Sequence, residues 1–233
     1  GHWTYVLDAE SHYAYLRIAE FTDRTDEELG KVLRQMPHAR GVVIDLRGNP
    51  GGPLPVAVTV TDRFQTTGDI VYVASRDEVH AHSAAGQRTY WADRPVVILV
   101  NGDTASAAEL FAGALQQAER AELIGEPTGG KRFIQSVIPI NEAGDLVLTT
   151  GYYAFTPIRQ DAAGKPIIEF TGLVPLVPDT FVQLDAAQWQ AVQSRWLTAA
   201  LPDPTAIDIS AILAADPQLQ VAVARLKEHC TDE

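Results

Sequence analysis

The stretch Pro95-Val-Val-Ile-Leu-Val100-Asn-Gly-Asp-Thr104-Ala-Ser106-Ala-Ala-Glu109-Leu-Phe111-Ala-Gly-Ala-Leu115 decides the fold. Residues 95–100 form a continuous apolar run rich in β-branched side chains, which is how a strand covered on both faces reads. A short polar turn follows. Ala107, Leu110, Phe111, Ala114 and Leu115 then recur at i, i+3, i+4, i+7 and i+8, the apolar stripe of a helix. The same order occurs earlier in the chain. Gly41-Val-Val-Ile-Asp-Leu46 is a second buried strand, Arg47-Gly-Asn-Pro-Gly-Gly52 a tight turn, and 55–65 a helix with Val56, Val60 and Phe64 on one side. Two strand–turn–helix units with doubly covered strands imply a layered α/β domain.

Working outward, 14–18, 69–73 and 121–125 read as further strands. Thr25-Asp-Glu-Glu28 has the form of a capping box for a helix that carries Leu29, Val32, Leu33 and Met36 on one face. The runs 133–140 and 146–155 are β-rich and flank the turn Asn141-Glu-Ala-Gly144, so they are expected as antiparallel strands. After Asp179 the composition shifts to Ala and Gln. A helix is expected near 186–200, with Trp189 and Trp196 on one side, and another begins at Asp216-Pro217, a strong N-cap and first-residue pair. Residues 1–182 therefore read as a core and 183–233 as a helical C-terminal appendage.

A chain of 233 residues, 46% hydrophobic, can bury a full core. Its net charge of −12, with scattered Lys and Arg, argues against nucleic acid or an anionic membrane as partner, since both need a clustered basic face. No run approaches the length of a membrane span, so no integral membrane segment is expected. The single Cys230 rules out an internal disulfide and a Cys-based metal site. His80 and His82 lie between Glu78 and Ser83 with no third ligand at metal spacing, and they read as solvent-facing.

Chemistry is suggested by Ser106 and by Gly125-Glu-Pro-Thr-Gly-Gly-Lys131-Arg-Phe-Ile-Gln135. Ser106 opens a helix, so an oxyanion formed on its attack would lie at the positive end of the helix dipole. Ser106-Ala-Ala-Glu109 also fits a capping box, so the serine alone does not distinguish a nucleophile from a helix cap. Lys131 supplies what a serine lacks, a base, provided it is neutral. An unperturbed lysine is about 3.4 units from neutrality at pH 7, a penalty of about 4.6 kcal/mol that burial among apolar neighbours must offset. Gln135 can orient the amine without adding a charge. The segment 125–131 also matches the first seven positions of a phosphate-binding loop, but Arg132 replaces the required Ser or Thr and a strand replaces the required helix. The glycines of the 47–52 turn can present bare N–H groups to a carbonyl oxygen.

Taken together, Val43-Ile-Asp-Leu-Arg47 through Gly51-Gly52, Asn101 through Ser106-Ala-Ala-Glu109, Gly125-Glu-Pro-Thr128 through Lys131 and Gln135, and Gly172-Leu173 through Pro178-Asp179 resemble the S41 family of carboxyl-terminal processing (tail-specific) serine proteases. The resemblance spans 13–182. It implies Ser106 as nucleophile, Lys131 as general base, Gln135 as the residue orienting the lysine, and the backbone N–H groups of Gly52 and Ala107 as the oxyanion hole. It also implies a ClpP/crotonase-like spiral of β-β-α units, protein or peptide substrates cut near their C-termini, no metal or organic cofactor, and an extracytoplasmic location (periplasm or cell envelope). The chain departs from the family in having Gly130 and Arg132 beside the lysine, and Gln117 where an acid is common. No PDZ domain is visible in it. A non-proteolytic module binding an apolar ligand on the same fold is the alternative, and a homo-oligomer built through the C-terminal helices is a further expectation.

Overall fold

The computed structural model describes residues 6–8, 12–86, 91–141, 144–168, 172–199 and 213–231. Two sheets organise them. The first contains β1 (Val6–Asp8), β2 (Tyr13–Arg17), β3 (Gly41–Asp45), β6 (Val96–Val100), β7 (Ala121–Gly125) and β10 (Thr180–Phe181), in that spatial order. All neighbours are parallel except the β1–β2 pair. The second is antiparallel, with β5 (Val79–Ser83), β4 (Asp69–Ala74), β9 (Gly144–Ala154) and β8 (Phe133–Asn141) in spatial order, so β8 is an edge. The fold is mixed α/β, as the alternation of apolar strands and amphipathic helices predicts.

Every residue of β3 and β6 is buried, as strands covered on both faces must be. One cover is α1 (Thr25–Gln35), α2 (Leu54–Thr61) and α3 (Ala107–Gln117). Leu33, Val60, Phe64, Leu110 and Phe111 pack there against Ile44, Ile98 and Val100. The other cover is the last helix, α5 (Pro217–Thr231), whose Leu219, Ala222, Val223 and Leu226 lie on Tyr13, Val43, Val97 and Leu99. Helix α5, in the segment expected as an appendage, thus packs directly on the sheet. Before it in the chain comes α4 (Ala186–Ala199), where Trp189 and Trp196 meet edge to face at 5.2 Å.

Several local expectations are corrected. Helix α2 ends at Thr61, short of residue 65, where Phe64 is instead reached by a turn from Thr61. Thr25 is the first residue of α1, not its cap, and its hydroxyl accepts the Thr22 N–H at 2.8 Å. Residues 79–83, read as a polar stretch, form the exposed edge strand β5 on β4, with His80 facing Glu78 at 3.1 Å.

A buried ion cluster ties α5 to the sheet. The Arg47 side chain is 1% exposed; its guanidinium donates to Asp45 (Nε–Oδ1 2.9 Å), to both oxygens of Asp216 (3.1 and 2.9 Å) and to Gln218 (2.9 Å). Asp216 also caps α5 by accepting the Leu219 N–H at 3.1 Å, and it takes a 3.2 Å bond from Arg195 of α4. Tyr15 donates to Asp45 at 2.7 Å, and burial pushes its phenol well above the ordinary range, so it stays a donor. The Asp216-Pro217 start signal, legible as a helix cap, is also the counter-ion of a loop far away in sequence.

Candidate active site

The loops at the C-terminal ends of three neighbouring parallel strands, β3, β6 and β7, carry the 47–52 turn, Ser106 and Lys131. The carboxyl edge of an open α/β sheet is where such folds place ligands. Hydrogen bonds weave the loops together. Thr104 Oγ1 donates to the Leu46 carbonyl at 2.9 Å, the Ala105 N–H to the Asn49 carbonyl at 3.0 Å, and the Gly129 N–H to the Thr104 carbonyl at 2.9 Å.

Ser106 sits at the N-cap of α3 with φ 56° and ψ −120°, a conformation that costs a non-glycine residue on the order of 1–3 kcal/mol. Its surroundings hold it there. The Ser106 N–H donates to Glu109 Oε2 at 2.9 Å, and its carbonyl accepts the Tyr153 hydroxyl at 3.0 Å and the Leu110 N–H at 2.9 Å. Burial, reinforced by the charge of Glu109, raises the Tyr153 phenol far above its ordinary value, so it remains a donor. The same hydroxyl reaches the Lys131 carbonyl at 3.2 Å.

Glu109, legible in the sequence as the last member of a capping box, is the hub of the site. It is 1% exposed, and its carboxylate accepts four donors: the N–H of Ser106, the N–H of Lys131 at 2.8 Å, the N–H of Gly130 at 2.7 Å and the Thr128 hydroxyl. One side chain thereby fixes the backbones of the serine turn and the lysine loop relative to each other. The capping-box spacing was the only sequence signal, and it pointed to the local half of this role.

The Lys131 Nζ donates to Gln135 Oε1 at 2.9 Å and lies 5.2 Å from the centre of the Phe133 ring. Among the described residues no hydrogen bond joins Ser106 Oγ to Lys131 Nζ. Both residues nevertheless line one cavity of about 300 Å³, with Gly52, Ala107, Gln135 and the apolar Leu54, Leu110 and Ile134. All five residues singled out from sequence therefore meet in one place. Among the described residues nothing engages the N–H of Gly52 or of Ala107, so both donors are free. Gly52 must be glycine: at φ +148° a Cβ would lie 1.9 Å from the Phe21 carbonyl oxygen. Gly130, the unusual neighbour of the lysine, has φ +81°, and a Cβ there would come within 2.7 Å of the Val174 nitrogen. Arg132, on the other side, stacks 5.0 Å from the Phe155 ring.

His80 and His82 lie on the exposed strand β5, outside this cavity. No cluster of metal-binding side chains exists among the described residues. No helix among them is long and apolar enough to cross a membrane.

Comparison with known proteins gives the chain's family. The sequence profile of Peptidase family S41 matches residues 12–175. The chain is 39% identical over 157 residues to the carboxy-terminal-processing protease of Bartonella bacilliformis, an alignment covering 64% of this chain and 36% of that protein. It is 37% identical over 150 residues to the carboxyl-terminal-processing protease of Synechocystis, covering 63% and 34%. The chain thus spans about a third of the length of these curated relatives (36% and 34%). Among solved structures, the photosystem II D1 C-terminal processing protease superposes with a TM-score of 0.58 at 30% identity, over 76% of this chain and 45% of that one. The tricorn protease shares the fold at 14% identity and a TM-score of 0.56, over 94% of this chain and 18% of that one. The chain belongs to peptidase family S41.

Proposed function

We propose that this chain is the catalytic core of a serine endopeptidase that cuts polypeptides near their C-termini. Ser106 is the nucleophile, Lys131 the general base, Gln135 the residue that orients the lysine, and the N–H groups of Gly52 and Ala107 the oxyanion hole. The observation that carries this reading is the convergence of these five residues on one cavity, with the Lys131 amine already held by the uncharged Gln135. The names of the relatives supply the substrate's C-terminal end.

In this mechanism neutral Lys131 takes the Ser106 hydroxyl proton as Oγ attacks the scissile carbonyl. A side-chain rotation must first bring Nζ within hydrogen-bond reach of Oγ, a tightening that substrate binding commonly produces. The tetrahedral oxyanion forms against two free N–H groups and the N-terminus of α3, an eleven-residue helix. Lys131 then returns the proton to the leaving amine, and water releases the Ser106 ester by the reverse sequence. Leu54, Leu110 and Ile134 leave room for an apolar side chain beside the scissile bond. No step calls for a metal or organic cofactor.

We also read the layers as a ClpP/crotonase-like spiral and the location as extracytoplasmic, both on the family's pattern. Because α5 buries its apolar face on the sheet, a homo-oligomer built through the C-terminal helices would use α4, where Leu197 is 74% exposed. The set Ser106, Lys131 and Gln135 in the cavity wall speaks against the apolar-ligand alternative. The test is casein cleavage and labelling by a serine-reactive fluorophosphonate on wild type, Ser106→Ala and Lys131→Ala. Equal cleavage by all three would refute the assignment.

A further inference from the structure

Beside the catalytic cavity, on the antiparallel sheet, lies a second groove of about 600 Å³ lined by Ser75, Arg76, Phe133, Gly151, Tyr152 and Ile168, with Thr149 and Thr150 at one end. Phe133 belongs to the walls of both. Its ring lies 5.2 Å from the Lys131 amine, so the groove begins where the lysine ends. Register fixes its direction. Phe133 pairs with Tyr152, Tyr152 pairs with Ala74, and Ser75 and Arg76 follow at the end of β4. At a strand spacing of about 4.8 Å, this row carries the groove about 10 Å across the sheet, from the catalytic edge to Arg76.

Arg76 is out of character with its surroundings. Among the described residues it makes no ion pair or hydrogen bond, and the acids that follow it are engaged elsewhere, Asp77 with Lys165 at 3.3 Å and Glu78 with His80 at 3.1 Å. An uncompensated guanidinium at the end of an apolar groove, on a chain of net charge −12, is complementary to a ligand that is apolar in body and anionic at its tip.

Resting on the peptidase reading, we propose that this groove is a subsite for the C-terminal residue of the substrate. Its side chain packs on Phe133, Tyr152 and Ile168, and its α-carboxylate is paired with Arg76. The catalytic core then measures distance from the substrate's end by itself. At about 3.3–3.6 Å per extended residue, the path from Lys131 past Phe133 to Arg76 holds three to five residues, roughly the length of the released fragment.

The test uses a fluorescein-labelled hexapeptide of alanines ending in leucine, as free acid and as C-terminal amide, binding to the Ser106→Ala protein in fluorescence anisotropy. Amidation should weaken binding about tenfold or more, the size expected for one hydrogen-bonded pair to a charged group. Adding Arg76→Ala should bring the free acid down to the level of the amide and leave the amide unchanged, and Arg76→Lys should recover part of the loss. Equal binding of acid and amide overturns the proposal, as does failure of both peptides to bind. An amide whose penultimate alanine is changed to glutamate, if it binds as well as the free acid and equally depends on Arg76, overturns it in favour of an acidic side chain. The peptidase reading fails separately, by absence of fluorophosphonate labelling and casein cleavage in the wild-type protein.

Discussion

Replacing Glu109 by glutamine keeps the volume of the side chain and removes half of its accepting capacity. The carboxylate serves two pairs of donors, Ser106 and Lys131 N–H on Oε2, and Gly130 N–H with the Thr128 hydroxyl on Oε1. An amide can accept on one side only. Its best orientation turns the oxygen to Ser106 and Lys131 and lets the NH₂ donate to Thr128 Oγ1, which leaves the Gly130 N–H orphaned in a buried site. An orphaned buried N–H costs about 1–3 kcal/mol, and the surviving bonds lose charge assistance at about 1 kcal/mol each, for a total of about 3–5 kcal/mol. For a domain of this size that lowers the melting temperature by roughly 10 °C or more. Thermal unfolding followed by circular dichroism measures this. A merely structural role would stop there. A positioning role adds a fall in kcat of at least about tenfold at 25 °C, where the variant is still folded, with KM within about twofold, because the serine and lysine loops lose their common anchor. A melting temperature within about 2 °C of wild type with unchanged labelling of Ser106 would refute the reasoning.

Asp216→Ala removes both contacts to Arg47, the contact to Arg195 and the cap of α5; a broken buried pair costs about 3–5 kcal/mol and a lost cap about 1, so the melting temperature should fall by roughly 10–20 °C. Because Arg47 begins the turn that carries Gly52, cleavage should fall with it, and a variant as stable as wild type would contradict the network. Gly130→Ala forces a side chain into left-handed backbone at φ +81° and against the Val174 nitrogen, so peptide cleavage should be lost, and retained full activity would show that the lysine loop tolerates movement. The folded protein holds the Tyr153 phenol protonated beyond the point, about pH 10, where the unfolded chain releases its proton. Stability linked to this group is complete below that pH and is lost progressively as pH rises above it. Tyr153→Phe should therefore be less stable than wild type at pH 7, through loss of the bonds to the Ser106 and Lys131 carbonyls, and show a shallower decline above about pH 10 in urea unfolding. Parallel declines would refute this.

The strands at 41–45 and 96–100 were legible because a strand buried on both faces has no polar side to alternate with, and α1 and α3 because their apolar residues repeat with the helical period. The strand 79–83 was not legible, since an exposed edge strand held by backbone pairing to β4 needs no apolar pattern. Ser106, Lys131, Gln135, Gly52 and Ala107 were named from local spacing and a family resemblance. Their arrival at one cavity required the parallel order of β3, β6 and β7, which puts three loops distant in sequence on a single edge.

By itself, the sequence determined which residue types could react and which segments had to be buried, because side-chain chemistry and hydrophobic period are properties of the local chain. Only the tertiary structure decided what Glu109, Arg47 and Asp216 do. A carboxylate three residues after a serine is a helix cap in one dimension; in three it is the acceptor shared by Ser106, Gly130 and Lys131. The Arg47–Asp216 pair joins positions 169 residues apart. A buried charge is tolerated only where its partner is brought to it, and that partner is chosen by packing rather than by sequence separation.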